Sequence, residues 1–164
     1  MLLIYIFWFA LAMLVHELGH LAAARACGVP ATALGVGWGP RVCGFTLGGV
    51  EFNLRALPVG AYVRLDIEEL QRKRLSCQVL VLLAGIIVNL LAAELVQGTW
   101  FGTMNLLLAA TNLLPLYQQD GWKCGMVMLR AALRRRSALV EWTFTVAGGC
   151  ASLILFAALL MRQS

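Results

Sequence analysis

The run from Leu2 to Ala24 constrains this chain more than any other segment. It is apolar except at His16, Glu17, Gly19 and His20. As a helix of about 23 residues rising ~1.5 Å each, it covers the ~30 Å of a bilayer's hydrocarbon core. Both of the chain's 2 histidines lie in it, four residues apart. Ionisable side chains at that depth are expensive and mark function. A secretory signal peptide is the competing reading, with Ala22–Ala24 as a cleavage site. It lacks a basic segment before the apolar stretch, and cleavage would discard both histidines.

Composition supports a membrane protein. Apolar residues make up 61% of the 164 and charged residues 13%, against roughly 45–50% and ~25% in soluble domains. That excludes a disordered chain, and the length suits one domain, residues 1–164. Three further apolar runs follow, about 75–96, 100–121 and 139–161. The third is irregular: Pro115 interrupts it, and Gln118, Gln119 and Asp120 follow. A broken span with polar groups is tolerated only where protein or a wet cavity satisfies its backbone, which points to a site. The expected fold is thus an α-helical integral membrane protein with about four transmembrane helices.

The basic residues predict orientation. Arg25, Arg41, Arg55, Arg64, Arg72, Lys73 and Arg74 fall between spans one and two, and Lys123, Arg130, Arg134, Arg135 and Arg136 between three and four. The connection from Gln97 to Thr103 has none, and only Arg162 lies on the opposite side. Both long connections are then cytoplasmic and both termini external. The net charge of +5 belongs to this asymmetry, and no nucleic-acid partner is expected.

The first long connection predicts a small membrane-associated hairpin or sheet at about 35–65. Val42–Leu47 and Val50–Leu54 flank Gly48-Gly49, a pair suited to a tight turn, and Ala61–Leu65 forms a third extended piece. Such a sheet either lies on the membrane surface or offers an edge to a partner strand. Trp122, Met126, Leu129 and Leu133 share a helical face, predicting an amphipathic helix at the cytoplasmic interface, its basic residues, Lys123 among them, anchored near headgroups, or an extension of span three. The 5 cysteines include no CxxC pair and suggest no disulfide framework.

His16-Glu17-Leu18-Gly19-His20 is an HExxH motif. Residues i and i+4 of a helix face one way, so two imidazoles can bind one Zn²⁺, with the glutamate beside it as a general base. A proton relay, a transport site or packed core histidines are the alternatives. A catalytic zinc usually takes a third protein ligand. Glu94 lies at the outer end of span two and Glu141 begins span four, whereas Asp120 matches the histidines in depth. Asp120 could instead cap a helix before Gly121, and Cys124, a turn later, is a further possible ligand.

These residues bring a family into view. The chain resembles the site-2 proteases, zinc metalloproteases that cut within the membrane. Three motifs carry the match: HELGH at 16–20, Gly85-Ile-Ile-Val-Asn89, and Asn112-Leu-Leu-Pro115-Leu-Tyr-Gln-Gln-Asp120-Gly121, which fits the family's NxxPxxxxDG pattern. Residues 35–65 look like the membrane-reentrant β-hairpin of the bacterial branch, thought to hold substrate in extended form. The resemblance implies that His16, His20 and Asp120 hold one zinc ion per chain, that Glu17 is the general base, and that Asn89 and Asn112 lie near substrate or the developing oxyanion. It also implies a bacterial cytoplasmic membrane, a site near the cytoplasmic face, and a transmembrane substrate such as a single-span regulator of the anti-sigma-factor kind. For Asn89 an interhelical hydrogen bond is the other reading. Relatives often carry a PDZ domain between the second and third spans, for which the seven residues here leave no room, so a minimal form is expected. Trp122 stands where relatives often have a second glycine, and Ile86 where proline is common. The non-enzymatic alternative is a membrane metal carrier, sensor or scaffold. A carrier has no need of a glutamate adjacent to the first histidine.

Overall fold

The computed structural model describes residues 1–133 and 137–161; Arg134, Arg135, Arg136 and Arg162 lie outside them. Helix α1 (Leu2–Ala26) leads into strands β1 (Ala31–Leu47) and β2 (Val50–Leu65). Helices α2 (Ile67–Arg72), α3 (Leu75–Leu95), α4 (Trp100–Leu113), α5 (Asp120–Leu133) and α6 (Ala138–Met161) follow. Helix α1 exposes Leu3, Ile4 and Phe7, and α6 exposes Leu139, Trp142, Leu153 and Ile154. Water would penalise such surfaces, but lipid tails are as apolar as they are. Among the described residues three helices are long and apolar enough to cross a bilayer: Leu3–Ala26, Leu75–Leu95 and Ala138–Leu155.

The third expected span, 100–121, is not one helix. Helix α4 has 14 residues, roughly 21 Å at 1.5 Å each, too short to cross ~30 Å. It stops because Pro115 forces the preceding residue out of helical geometry: Leu114 is extended, at φ −63° and ψ 142°. Gln118 takes φ +70°, alone among the described non-glycine residues in that region. Helix α5 then restarts at Asp120.

The hairpin is longer than expected and runs through the glycines at 35, 37 and 39. Gly48 and Gly49 turn it with φ of +58° and +78°, values that suit the two-residue turns matching strand twist. The sheet is two-stranded and antiparallel. Ala33–Val36 is in register both with 61–64 and with 51–54, so the hairpin folds over and one arm lies between two parts of the other. Trp38, Val42, Phe45, Leu47 and Leu57 remain exposed. Helix α2 has a local cause: Asp66 Oδ1 accepts the Glu69 N–H at 3.0 Å, half of a capping box.

Two apolar clusters hold these parts together. Leu21, Leu34 and Val50 join α1 to the sheet, with Leu14, Phe52 and Val63 packed around them. Ala23, Ala24, Val29, Leu70, Val81 and Ala84 join α1, α2 and α3. Small residues let α1 and α3 approach closely, the usual device of membrane helices. A Cβ on Gly19 would stand 2.7 Å from the Ala84 carbonyl oxygen and 3.0 Å from Val88 Cγ2. Gly19→Ala should therefore force the helices apart and destabilise the fold by about 1–3 kcal/mol. A detergent-solubilised thermal melt followed by helical circular dichroism checks this, and an unchanged melt would show that the contact yields.

Helix α6 is tied on by side chains. Arg130 on α5 grips Glu141 with two bonds, Nε–Oε1 at 2.9 Å and Nη2–Oε2 at 2.8 Å. Ser152 Oγ accepts the Tyr117 N–H at 3.2 Å, bracing the segment that follows Pro115.

Candidate metal centre

One turn of α1 sets His16 above His20, with ring centroids 4.7 Å apart and ring planes at 83°. The break after α4 delivers Asp120 to both. Asp120 Oδ2 lies 2.8 Å from His16 Nε2 and 3.0 Å from His20 Nε2, and the two nitrogens are 3.1 Å apart. All three residues are buried, and among the described residues they form the one group of this kind. Three ligand atoms ~2.0 Å from a tetrahedral zinc stand about 3.3 Å apart. An opening of a few tenths of an ångström would thus admit the ion, and the donor set fits zinc. Gly85 makes the room: a Cβ there would meet His20 Nε2 at 2.6 Å and His16 Cε1 at 2.7 Å.

Groups behind the ligands orient them. His20 Nδ1 donates to the Val81 carbonyl oxygen at 2.7 Å, which leaves the Nε2 lone pair free to bind metal. Lys123 Nζ donates to Asp120 Oδ1 at 2.9 Å, so Oδ2 is the oxygen turned to the histidines. The sequence suggested a headgroup anchor for Lys123; its neighbour is instead the carboxylate three residues before it, one helical turn away. Lys123→Met should weaken zinc binding about 10–100-fold, and Lys123→Arg much less, in competition with a chromophoric chelator. Equal affinity in all three proteins would show that Lys123 does not position Asp120.

Glu17 lies beside this group without belonging to it. Its Oε2 accepts the Val63 N–H at 2.9 Å, which places β2 next to the candidate base. A cleft of about 260 Å³ opens here, lined among others by Glu17, His20, Tyr62, Val63, Asp120 and Lys123. The strand against the site is therefore Ala61–Leu65, the third of the extended pieces expected from the sequence. The reason is the fold-over, which no local pattern announces.

The remaining candidates lie outside the ligand group. Asn89 is 0% exposed on α3. Asn112 Nδ2 donates to the Leu108 carbonyl oxygen at 2.9 Å in the last turn of α4. Neither lines the cleft. Cys124 is buried but outside the ligand group. Glu94 is exposed near the far end of α3, and Glu141 is held by Arg130. Val63 and Gly85 were not singled out from the sequence as parts of the site, though Gly85 falls in a motif.

A spanning helix that carries two histidines and a glutamate, met by a carboxylate at the start of α5, gives a membrane protein with a candidate metal centre. Residues 4–99 match the profile of peptidase family M50, and the chain belongs to that family, the site-2 proteases. It is similar to proteins named "Putative zinc metalloprotease" in several bacteria. With that of Helicobacter pylori it shares 40% identity over 65 residues, 40% of this chain and 19% of the relative. The figures for Clostridium perfringens are 33% over 96 residues, 54% and 29%. Those for Chlamydia trachomatis are 42% over 69 residues, 40% and 11%. The chain thus spans less than a third of the length of these relatives.

Proposed function

We propose that this chain is a zinc-dependent intramembrane endopeptidase that hydrolyses peptide bonds within or near transmembrane segments of other membrane proteins. The observation that carries the reading is Glu17: a carboxylate outside the ligand group, beside it, and facing a cleft bordered by a strand. His16, His20 and Asp120 would hold the ion. When bound, zinc supplies a Lewis acid that polarises a carbonyl and acidifies water. Glu17 accepts the proton of the attacking water and delivers it to the departing amine. The carboxylate–Lys123 pair keeps Asp120 oriented while this happens.

A helical substrate hides its carbonyls in hydrogen bonds and must unwind locally before attack. Ala61–Leu65 borders the cleft, and strand addition there would hold the unwound segment extended. Substrate amides would then compete with the Val63 N–H for the neighbourhood of Glu17. The basic connections favour a site near the cytoplasmic face of a bacterial cytoplasmic membrane, with external termini. A single-span regulator such as an anti-sigma factor suits a site of this kind.

The test uses the purified full chain in detergent. Zinc is quantified by atomic absorption, and cleavage of a model transmembrane peptide with a helix-destabilising Asn-Gly pair is followed by mass spectrometry. One zinc per chain with cleavage is the expected result, both lost in Asp120→Ala. Zinc without cleavage would favour a metal carrier or sensor; no zinc on a folded chain supplied with it would end the enzyme reading.

A further inference from the structure

The three candidate ligands differ in what stands behind them. His20 Nδ1 has the Val81 carbonyl and Asp120 Oδ1 has Lys123. His16 Nδ1 is buried and makes no hydrogen bond. A metal-ligating imidazole keeps its tautomer and ring orientation by donating its other N–H to an acceptor. His16 therefore calls for one.

Helix α3 supplies the candidate. Val81, Gly85 and Asn89 recur every four residues and share one face. Val81 serves His20, and Gly85 is the bare spot against both rings. Gly19 packs at Ala84 and Val88, so stepping back along α1 from His20 to His16 runs forward along α3 toward Asn89. Asn89 is 0% exposed, and both its Oδ1 and Nδ2 are without partners. A buried amide with neither atom satisfied is rare in folded proteins.

A third helix closes the series. Asn105 on α4 is also 0% exposed. Its Nδ2 donates to the Phe101 carbonyl oxygen at 2.8 Å, while its Oδ1 is buried and unpartnered. Asn89 precedes the α3–α4 connection by about as many residues as Asn105 follows it, which sets the two at one level of that helical hairpin.

We propose that Asn89 is a positioning residue for the metal centre: as the side chains close on one another, its Oδ1 accepts the His16 Nδ1–H and its Nδ2 donates to Asn105 Oδ1, two bonds the structure does not already make. One relay from α1 through α3 to α4 then satisfies all four unpartnered atoms of the three residues. Asn89 acts on the ligand and does not touch substrate. The proposal rests on the reading of His16 as a zinc ligand.

Zinc affinity is measured on the full chain in detergent by competition with a chromophoric chelator, for wild type, Asn89→Leu and Asn89→Asp. Leucine keeps the volume and removes the acceptor; aspartate keeps the acceptor. Asn89→Leu should bind zinc 10–100-fold more weakly, with Asn89→Asp within about threefold of wild type. Nitrogen-15 NMR of the zinc-loaded wild type should show His16 protonated at Nδ1, its proton protected from exchange, and that protection should vanish in Asn89→Leu. Wild-type zinc affinity in Asn89→Leu, with cleavage reduced through kcat alone, would overturn the proposal and return Asn89 to the substrate side. If Asn89→Leu does not fold, the wild-type spectrum decides: a freely exchanging Nδ1 proton overturns the proposal. A wild-type chain that binds no zinc refutes the metal reading itself, an outcome distinct from zinc binding indifferent to residue 89.

Discussion

Glu17→Gln should bind zinc as tightly as wild type and cleave a transmembrane model peptide about 10²–10⁴-fold more slowly, the usual share of a general base. That loss corresponds to roughly 2.7–5.5 kcal/mol of transition-state stabilisation. The structure separates the two effects. Glu17 is outside the His16–His20–Asp120 group, so the ligands are untouched. Glutamine is nearly isosteric, and its amide oxygen can still accept the Val63 N–H that Glu17 accepts at 2.9 Å. What it lacks is basicity. Undiminished turnover in a zinc-loaded Glu17→Gln protein would remove Glu17 from the chemistry. Lost zinc would instead make it a structural support of the ligands.

Gly85→Ala should strike the candidate metal centre directly. Its Cβ would sit 2.6 Å from His20 Nε2 and 2.7 Å from His16 Cε1 and Nε2, well inside the ~3.5 Å at which non-bonded carbons settle. Both rings would have to retreat by more than the ~0.5 Å tolerance of a metal site. A fall of at least about 100-fold in zinc affinity is expected, with cleavage lost in parallel, because two ligands are displaced together. Gly149→Ala on α6 is the control: its added methyl meets nothing within 4 Å, and alanine favours a helix over glycine. Chelator competition on the two variants provides the comparison, and wild-type affinity in Gly85→Ala would mean that α3 shifts to accommodate the methyl.

The geometry of the candidate site was legible in the sequence to the degree that it was local. HExxH states its own geometry, because a helix fixes where i and i+4 point. Asp120 could be chosen by depth, since apolar runs measure position across a bilayer. Pro115 and the polar residues after it marked an irregular span, but its division into α4 and α5 went beyond the four-helix expectation. The sheet was legible in its place and its turn, but not in its fold-over. Ala31–Leu34 falls before the expected 35–65 region, yet β1 begins at Ala31, and Ala33–Val36 lies between two parts of β2. The approach of Val63 to Glu17, 46 positions apart, follows from that fold-over and has no sequence signature. Lys123 looked like an interfacial charge because its spacing to Asp120 matters only once Asp120 begins a helix.

The restart of the chain at Asp120 has an electrostatic consequence. Peptide dipoles in a helix add up to roughly half a positive charge at its first turn. Had 100–121 continued as one helix, Asp120 would have sat near the negative end of that sum. Because α4 stops at Leu113 and α5 begins at Asp120, the carboxylate sits at the positive end of a new dipole while buried among apolar helices. The interruption therefore does more than bring a third side chain to the histidines. It favours that side chain as an anion in the low-dielectric setting where a lone carboxylate would tend to take up a proton, and an anion is the form that can hold a cation.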